Sequence, residues 1–598
     1  MFTTRPEILG TFGVVTSTHW IASSVGMAIL EKGGNAFDAA VATGFTLQVV
    51  EPEMNGPGGE VPLLIYDARS RQVRVICGQG VAPGGATIAH YRSQGLDLVP
   101  GTGLLAATVP GAFDAWMLLL RDYGTMSLED VLSPAIALAR EGFPISARVA
   151  NIIAGLQPLF TAEWPTSAAV YLPGGKAPSA DTLFRNPALA ETYSRVLREC
   201  AGAGPREARI EAARRAWYRG FVADAIDSFC RRTEAMDSSG RRHRGVLTGQ
   251  DMATWSASVE APLTYDYGRY TVCKPGPWSQ GPVFLQTLAL LEGQPLDALP
   301  ATEPDFVHVV TEAMKLSFAD REAFYADPAT IDVPIAELLS KRYNDGRRAL
   351  IGRAASTELR PGAIAGRNNR ILLGRVPQQA AAGIGEPTAV RSGVGEPTTM
   401  RPAVSNSDTC HFDVIDRHGN MVSATPSGAW FQSSPVIPEL GFPLGTRAQM
   451  FWLDPDSPGA LAPGKRPRTT LTPSMALRDG KPYLAFGTPG GDQQDQWSLL
   501  LFLRHVHHGM NLQQAIDCPS FHTDHFPSSF YPRLVKLNRL TVEGRMPAAT
   551  IAELKRRGHD VEVGGDWSEG RLTAAAQDGA LLRAAANPRG MQGYAVGR

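Results

Sequence analysis

Between Arg353 and Ser407 the chain follows neither the spacing of a helix nor the alternation of a strand, and at Thr409 ordered patterning resumes abruptly. The stretch is rich in Gly, Pro, Ala and Arg. It contains a short tandem repeat, GIGEPTAVR at Gly383–Arg391 and GVGEPTTMR at Gly393–Arg401. A solenoid needs repeats of roughly 20 residues or more in about three copies, so the segment reads as a flexible arm. The chain must therefore build its core from patterned sequence on both sides of an unpatterned one.

Before the arm, Phe12–Thr16 reads as a strand and His19–Lys32 as a helix with Ile21, Val25, Ile29 and Leu30 on one face. Gly33-Gly34-Asn35 stops that helix. Ala36–Val50 is a second helix of small and apolar residues, suited to close packing on a sheet. Pro57-Gly58-Gly59 precedes a strand at Val61–Asp67. Residues 104–145 and 180–235 read mainly as helix, Leu263–Lys274 as two short strands, and Val283–Glu292 and Phe306–Tyr325 as amphipathic helices. The last carries Ala319-Asp320-Arg321 on its polar side. After the arm come a strand at Cys410–Asp416, a turn at Arg417–Asn420 and a returning strand at Met421–Thr425. A strand at Pro482–Gly487 and helices at Gln496–His508 and Ala552–Gly558 follow. The class is α/β or α+β, in layers.

The 598 residues carry 57 Lys+Arg against 58 Asp+Glu, which gives no electrostatic support for a nucleic-acid partner. No window reaches the roughly 18 consecutive apolar residues of a membrane-spanning helix. The N-terminus lacks the basic start and apolar run of a secretory signal. Cys77, Cys200, Cys230, Cys273, Cys410 and Cys518 form no CxxC pair, which reads as reduced, buried thiols in a cytoplasmic protein.

The familiar catalytic motifs HExxH and GxSxG are missing, and GALAPGKR at Gly459–Arg466 ends in arginine where a P-loop needs a hydroxyl. His505, His507 and His508, and His522, Asp524 and His525, match no standard metal spacing. The first cluster reads as an exposed helix end. The basic run Arg231–Arg244 reads as a solvated loop.

What remains is a threonine at an order boundary. A threonine hydroxyl is a weak nucleophile without an adjacent base, and the threonine's own α-amino group, pKa about 7.7, is one if the preceding peptide bond is broken. His411 lies on the same strand face as Thr409 and reads as structural. Cys410 points to the other face.

Here the segment TCHFDVIDRHGNMVSATPS (Thr409–Ser427) resembles the start of the small subunit of the γ-glutamyltransferase family, N-terminal-nucleophile hydrolases that cleave themselves before a threonine. Gly33–Asp67, Pro110–Phe143, the EAMKLSFADR helix, PGKRPRTTLTPS (Pro463–Ser474) and GTPGGDQQ (Gly487–Gln494) resemble further family segments in the same order, over nearly the whole chain apart from the arm.

The resemblance implies a four-layer αββα sandwich of α+β class, and cleavage between Asp408 and Thr409. That gives a large subunit, 1–408, ending in the arm 353–407, and a small catalytic subunit, 409–598, which stay associated. Thr409 is then nucleophile and, through its α-amino group, base. Gly490 and Gly491 supply the oxyanion hole, where backbone N–H groups must approach closely. Ser427 stands for a family threonine beside the nucleophile. No cofactor and no metal is implied. The partners are a small-molecule amide, each subunit for the other and, at most, a second copy of that unit as a homodimer. Neither nucleic acid nor membrane is among them.

The acyl pocket departs from the family. Gln79 stands where an arginine holds a γ-glutamyl carboxylate, Trp452 where an aspartate holds the ammonium, and Ala429 where an asparagine assists it. Gln449 fixes the register, and Thr469 and Thr470 keep the hydroxyls of two serines. Trp452, Phe451, Trp430 and Phe431 are candidates to line a flatter aromatic pocket. The expected activity is therefore amide cleavage on a non-γ-glutamyl acyl group, neutral or singly charged. A true γ-glutamyl hydrolase or transpeptidase and an inactive binding relative are the alternatives.

Overall fold

The computed structural model describes residues 2–374 and 409–598. Asp408, the tandem repeat and most of the arm lie outside them. Two seven-stranded sheets carry the molecule. The first runs in the order Tyr594–Gly597, Gly13–Ser17, Phe412–Asp416, Met421–Ala424, Val61–Asp67, Gln72–Gly78, Ser258–Glu260. The second runs Ile8–Gly10, Leu581–Ala586, Thr573–Asp578, Lys481–Gly487, Ser474–Arg478, Tyr270–Lys274, Leu263–Tyr267. All neighbours within both sheets are antiparallel.

Side chains alternate between faces, yet both faces are apolar because both are covered. Val15, Leu63, Ile65, Phe412 and Val414 pack in the core that holds the helices Trp20–Glu31, Ala36–Val50, Ala112–Tyr123 and Leu128–Glu141. Their neighbours Val14, Leu64, Tyr66 and Ile415 point the other way, onto Met475, Ala575, Leu582 and Ala584 of the second sheet. The outer face of that sheet, with Val272, Leu484, Phe486 and Ala574, lies under Pro282–Leu291, Pro304–Phe324 and Gln494–His508. The layers are αββα.

Local sequence explains the entry to the site. Gly33 takes φ +95°, and Asn35 then caps Ala36–Val50 in a reciprocal box with Asp38. All residues of that helix are buried, and Gly44 admits the Trp116 ring. The helix delivers the chain to Glu51–Glu60, directly beneath the strand that starts after Thr409.

Several expectations need correction. Residues 353–374, read as the start of a flexible arm, form a packed strap without regular secondary structure. The Ser356 N–H donates to Glu312, the Gly362 N–H to Asp320 at 2.7 Å, and the Lys315 ammonium to the Ser356 carbonyl at 3.0 Å. The strap explains the second correction. Pro304–Phe324 is buried on all sides, Asp320 and Arg321 included, because its charged stripe faces the strap and the neighbouring loops rather than water. His505 and His507 are not an exposed end. They hydrogen-bond Tyr483 at 2.6 Å and Tyr267 at 2.9 Å. Within Arg231–Arg244, Ala235–Met236 pairs with Arg242–His243, and His243 is buried against Asp237 at 2.7 Å. The site strand begins at Phe412, so Thr409 stands three residues ahead of the ladder rather than in it.

The cysteines are free and buried. Among the described residues no helix is long and apolar enough to cross a membrane.

His522 tests how tightly the second half is held. It is buried, hydrogen-bonds Glu569, and lies 3.5 Å from Asp524. Burial pulls its pKa down, but Glu569 and Asp524 outweigh that and raise it to about 10. The folded value exceeds the unfolded one, about 6.5. Its stabilisation is therefore complete below about pH 6.5 and lost as pH rises through about 10. Urea unfolding across this window should show wild-type stability falling more steeply than that of His522→Gln. Parallel slopes would remove the ion triad from the account.

Candidate functional site

Thr409 is fully buried, and its Oγ1 lies 3.1 Å from Ser427 Oγ. Ser427 accepts a hydrogen bond from Arg447 Nη2 at 3.0 Å, and Arg447 Nε donates to Glu60 at 2.7 Å. Glu60 returns to Ser427 through the backbone, with N–H to carbonyl distances of 2.9 and 3.0 Å in the two directions. This closed circuit of Ser427, Arg447 and Glu60 is buried. Burial pushes the Glu60 carboxyl up and Arg447 pulls it back down.

The approach of these segments needs the glycines of Pro57-Gly58-Gly59. A Cβ on Gly58 would collide with the Pro443 carbonyl, and one on Gly59 with that of Ser427. Ala429, two residues on, holds φ +55°, a conformation that asparagine adopts more readily.

Cys410 projects to the opposite side. Its Sγ donates to Glu51 at 3.0 Å, and burial followed by Glu51 pushes the thiol well up, so it is protonated and a poor nucleophile. His411 is clasped by Thr425 at 2.8 Å and Asp413 at 3.1 Å, over Gly487 of the second sheet. Asp413 also accepts from Thr573 at 2.8 Å. His411 thus belongs to a polar rivet between the sheets.

Strand Lys481–Gly487 leads into Gly490, φ +126°, and Gly491, φ +55°. A side chain at Gly490 would run into the Trp497 ring, which stands edge-on to His522. The Gly491 carbonyl accepts from Gln280 at 3.2 Å, and Arg321 binds both Gln280 and Asp492, at 2.7 and 2.6 Å. The Thr469 N–H donates to the Trp278 carbonyl at 2.8 Å, two residues before Gln280. Thr470 Oγ1 is buried with no hydrogen-bond partner among the described residues.

Gln79 donates to the Gly80 carbonyl at 3.1 Å, and its Oε1 has no partner among the described residues. The following Ala82 pairs with Gly464 and Lys465, which ties Gln79 to the segment bearing Thr469 and Thr470. Gln449 sits in the Arg447–Met450 turn, bonded to the Gly101 carbonyl at 3.2 Å. Of the four aromatics proposed for the pocket, Phe431 is packed against Tyr171 and Phe451 in a cluster with Tyr91 and Leu105, while Trp430 lies under Arg447. They are core. Trp452 is buried as well, at 9% the least so of the four.

Sequence reading missed the loop that joins these pieces. Asp492 accepts from the Ser529 N–H at 2.8 Å, Arg468 donates to Ser529 Oγ at 2.8 Å, and the Tyr531 N–H donates to Gln449 Oε1 at 3.1 Å. Arg533 then lies over the Trp452 ring, 4.1 Å from its centroid. Burial, then Arg468, pulls its guanidinium down to about 9, which leaves it cationic at neutral pH. A lone arginine in the proline-bounded, aromatic run PSSFYPR was the available signal.

Among the described residues one trio has metal-binding proximity, His308, Glu312 and His559. His308 is engaged by His559 and the Gly352 carbonyl, both at 2.8 Å, and Glu312 by Lys315 at 2.7 Å and Arg360 at 3.2 Å. Two cations on the carboxylate oppose a metal ion, and the group latches the strap instead.

The γ-glutamyltranspeptidase family model matches residues 22–597. The chain is 33% identical over 598 residues to the glutathione hydrolase-like YwrD proenzyme of Bacillus subtilis (strain 168), covering 99% of each. The solved structure of LmbA2991HD matches at 57% identity with a TM-score of 0.91, covering 100% of both chains. The cephalosporin acylase from Bacillus halodurans matches at 27% identity and a TM-score of 0.81, over 100% of this chain and 98% of that one. With the family model spanning almost its whole length and its sandwich shared with such hydrolases and acylases, the chain belongs to the γ-glutamyltranspeptidase family of N-terminal-nucleophile amide hydrolases.

Proposed function

We propose that the protein is a self-cleaving amidohydrolase whose nucleophile is Thr409, acting on an acyl group other than γ-glutamyl. The observation that carries the reading is the buried Thr409 hydroxyl set 3.1 Å from Ser427, itself fixed by Arg447 and Glu60. Scission of the Asp408–Thr409 bond frees the α-amino group as proton acceptor. The hydroxyl oxygen attacks the amide carbonyl carbon while its proton passes to that amine. Gly490 and Gly491 N–H groups take the oxyanion. The tetrahedral adduct collapses, the proton leaves with the departing amine, and water hydrolyses the acyl-threonine ester. Each sheet is built from both sides of residue 408, so the two pieces have ladder bonds to hold them together.

The altered pocket supports a non-γ-glutamyl acyl group. A substrate ammonium would face Trp452, and its desolvation would go uncompensated. Hydrolysis of a γ-glutamyl amide is the second reading, favoured by the hydroxyls of Thr469 and Thr470 and by the glutathione hydrolase-like relative.

A denaturing gel with N-terminal sequencing tests the nucleophile. Wild type should give two bands, the smaller beginning at Thr409. Thr409→Ala should yield one band and no turnover, and Thr409→Ser part of each. Splitting of the alanine variant at the same bond sinks the assignment. Ser427→Ala, which removes one hydrogen bond to the nucleophile, should lower kcat roughly tenfold with the subunits still formed. On substrate, a γ-glutamyl anilide should be cleaved at least about tenfold less efficiently than the same anilide lacking the α-amino group. The reverse order would favour the second reading.

A further inference from the structure

The peptide planes around Gly490 and Gly491 are pinned one by one, each through its carbonyl. The Pro489 carbonyl accepts from Thr488 Oγ1 at 2.7 Å, the Gly490 carbonyl from the Gln493 N–H at 3.0 Å, and the Gly491 carbonyl from Gln280 at 3.2 Å. In a trans peptide the N–H points opposite to the carbonyl. The first two bonds therefore aim the N–H groups of Gly490 and Gly491 away from those donors. Both glycines are buried, and neither N–H donates to an acceptor among the described residues. N–H groups at the start of a helical turn normally find water or a cap. Two buried in succession without a partner are rare, and suit donors held ready for a ligand oxygen.

The three pins are not equally backed. Gln493 belongs to the turn itself, and Gln280 is held by Arg321 at 2.7 Å. The Pro489–Gly490 plane turns about ψ of Pro489 and φ of Gly490, and glycine accepts either sign of φ. Thr488 Oγ1 is the one donor to the Pro489 carbonyl among the described residues. The hydroxyl is itself oriented, because it accepts the Arg571 N–H at 3.0 Å and keeps its hydrogen for the carbonyl. Thr488 is 2% exposed, so bulk water has no access to replace it. A threonine that only fastened the loop after Glu569 would need the Arg571 contact alone. The second bond acts on the plane that carries the Gly490 N–H.

We propose that Thr488 is a positioning residue for the oxyanion, its hydroxyl holding the Pro489–Gly490 peptide so that the Gly490 N–H meets the tetrahedral adduct. This rests on the reading that Thr409 attacks and that Gly490 and Gly491 serve the oxyanion. Thr488 acts through the peptide plane and not on the substrate. A donor that matters only once the carbonyl oxygen carries charge contributes to kcat and not to KM.

The test uses cleaved enzyme, its sites counted as the 409–598 fragment, and the fastest-cleaved member of a panel of acyl p-nitroanilides. Thr488→Val, which keeps the shape and removes the hydroxyl, should lower kcat and kcat/KM together by roughly ten- to a hundredfold, with KM within about threefold. Thr488→Ser keeps the hydroxyl and should stay within about threefold of wild type in kcat. Crystal structures should show the Pro489–Gly490 peptide turned in Thr488→Val and unmoved in Thr488→Ser. A valine variant with lowered Tm and wild-type kcat overturns the proposal, because the hydroxyl would then serve the fold alone. A loss confined to KM, or a serine variant as slow as valine, overturns it too. Thr488→Ala takes the same part if the valine variant fails to fold. If no anilide is turned over, an unturned peptide in the valine structure overturns the proposal. The underlying readings fail separately. A single uncut band inert to every anilide removes Thr409, and a phenylboronate adduct on Thr409 of wild type whose oxygens avoid both N–H groups removes the glycines.

Discussion

Glu60 and Arg447 hold each other in the interior, and the surroundings of Thr409 hang on that contact. Neither charge would be tolerated there alone, since removing one partner of a buried pair typically costs about 3–5 kcal/mol. Together they fix the Ser427 hydroxyl at Thr409 and lock the Glu60 and Ser427 backbones in register. The glycines of Pro57-Gly58-Gly59 make the approach sterically possible. The setting of the Thr409 hydroxyl thus draws its geometry from a segment more than three hundred positions away.

Much of this was legible in the chain. Ala36–Val50 and Val61–Asp67 fall where their patterns place them, because small-residue runs and apolar strands have few alternatives in a layered core. The hairpin around Arg417–Asn420 is equally direct. What could not be read was which polar surfaces are covered. Asp320 and Arg321 look solvated in sequence, and only the strap 353–374 makes them interior. The strap looked flexible because its order comes from tertiary hydrogen bonds rather than a repeating pattern. For the same reason Phe431 and Phe451 read as pocket walls, although neighbouring layers absorb them into the core. Motif matching singled out Thr409 and Gly490-Gly491 as candidates but passed over the loop 527–533, because a segment held by hydrogen bonds to Asp492, Arg468 and Gln449 has no spacing to recognise.

The two charged assemblies near the site differ in kind. The Glu60–Arg447 pair is neutral overall and closed on itself, which suits a scaffold. The assembly of Arg321, Arg468, Arg533, Glu322 and Asp492 carries a surplus positive charge and joins several segments. The first is matched to holding an uncharged hydroxyl in place. The second places its surplus charge where the segments bearing Gly491, Thr469 and Gln449 meet.

The interleaving of strands has a consequence for how such a molecule comes to exist. Phe412–Asp416 lies between Gly13–Ser17 and Met421–Ala424, and Ser474–Arg478 pairs with Tyr270–Lys274. In an intact polypeptide those long-range pairings form within one chain, and their rate is independent of dilution. Were the connection at 408 severed, as proposed above, the same pairings would become an encounter between two molecules, each with unsatisfied sheet edges exposed to aggregation. The covalent precursor would then act as its own assembly template, and the cleaved architecture, once melted, would have no equally easy route back.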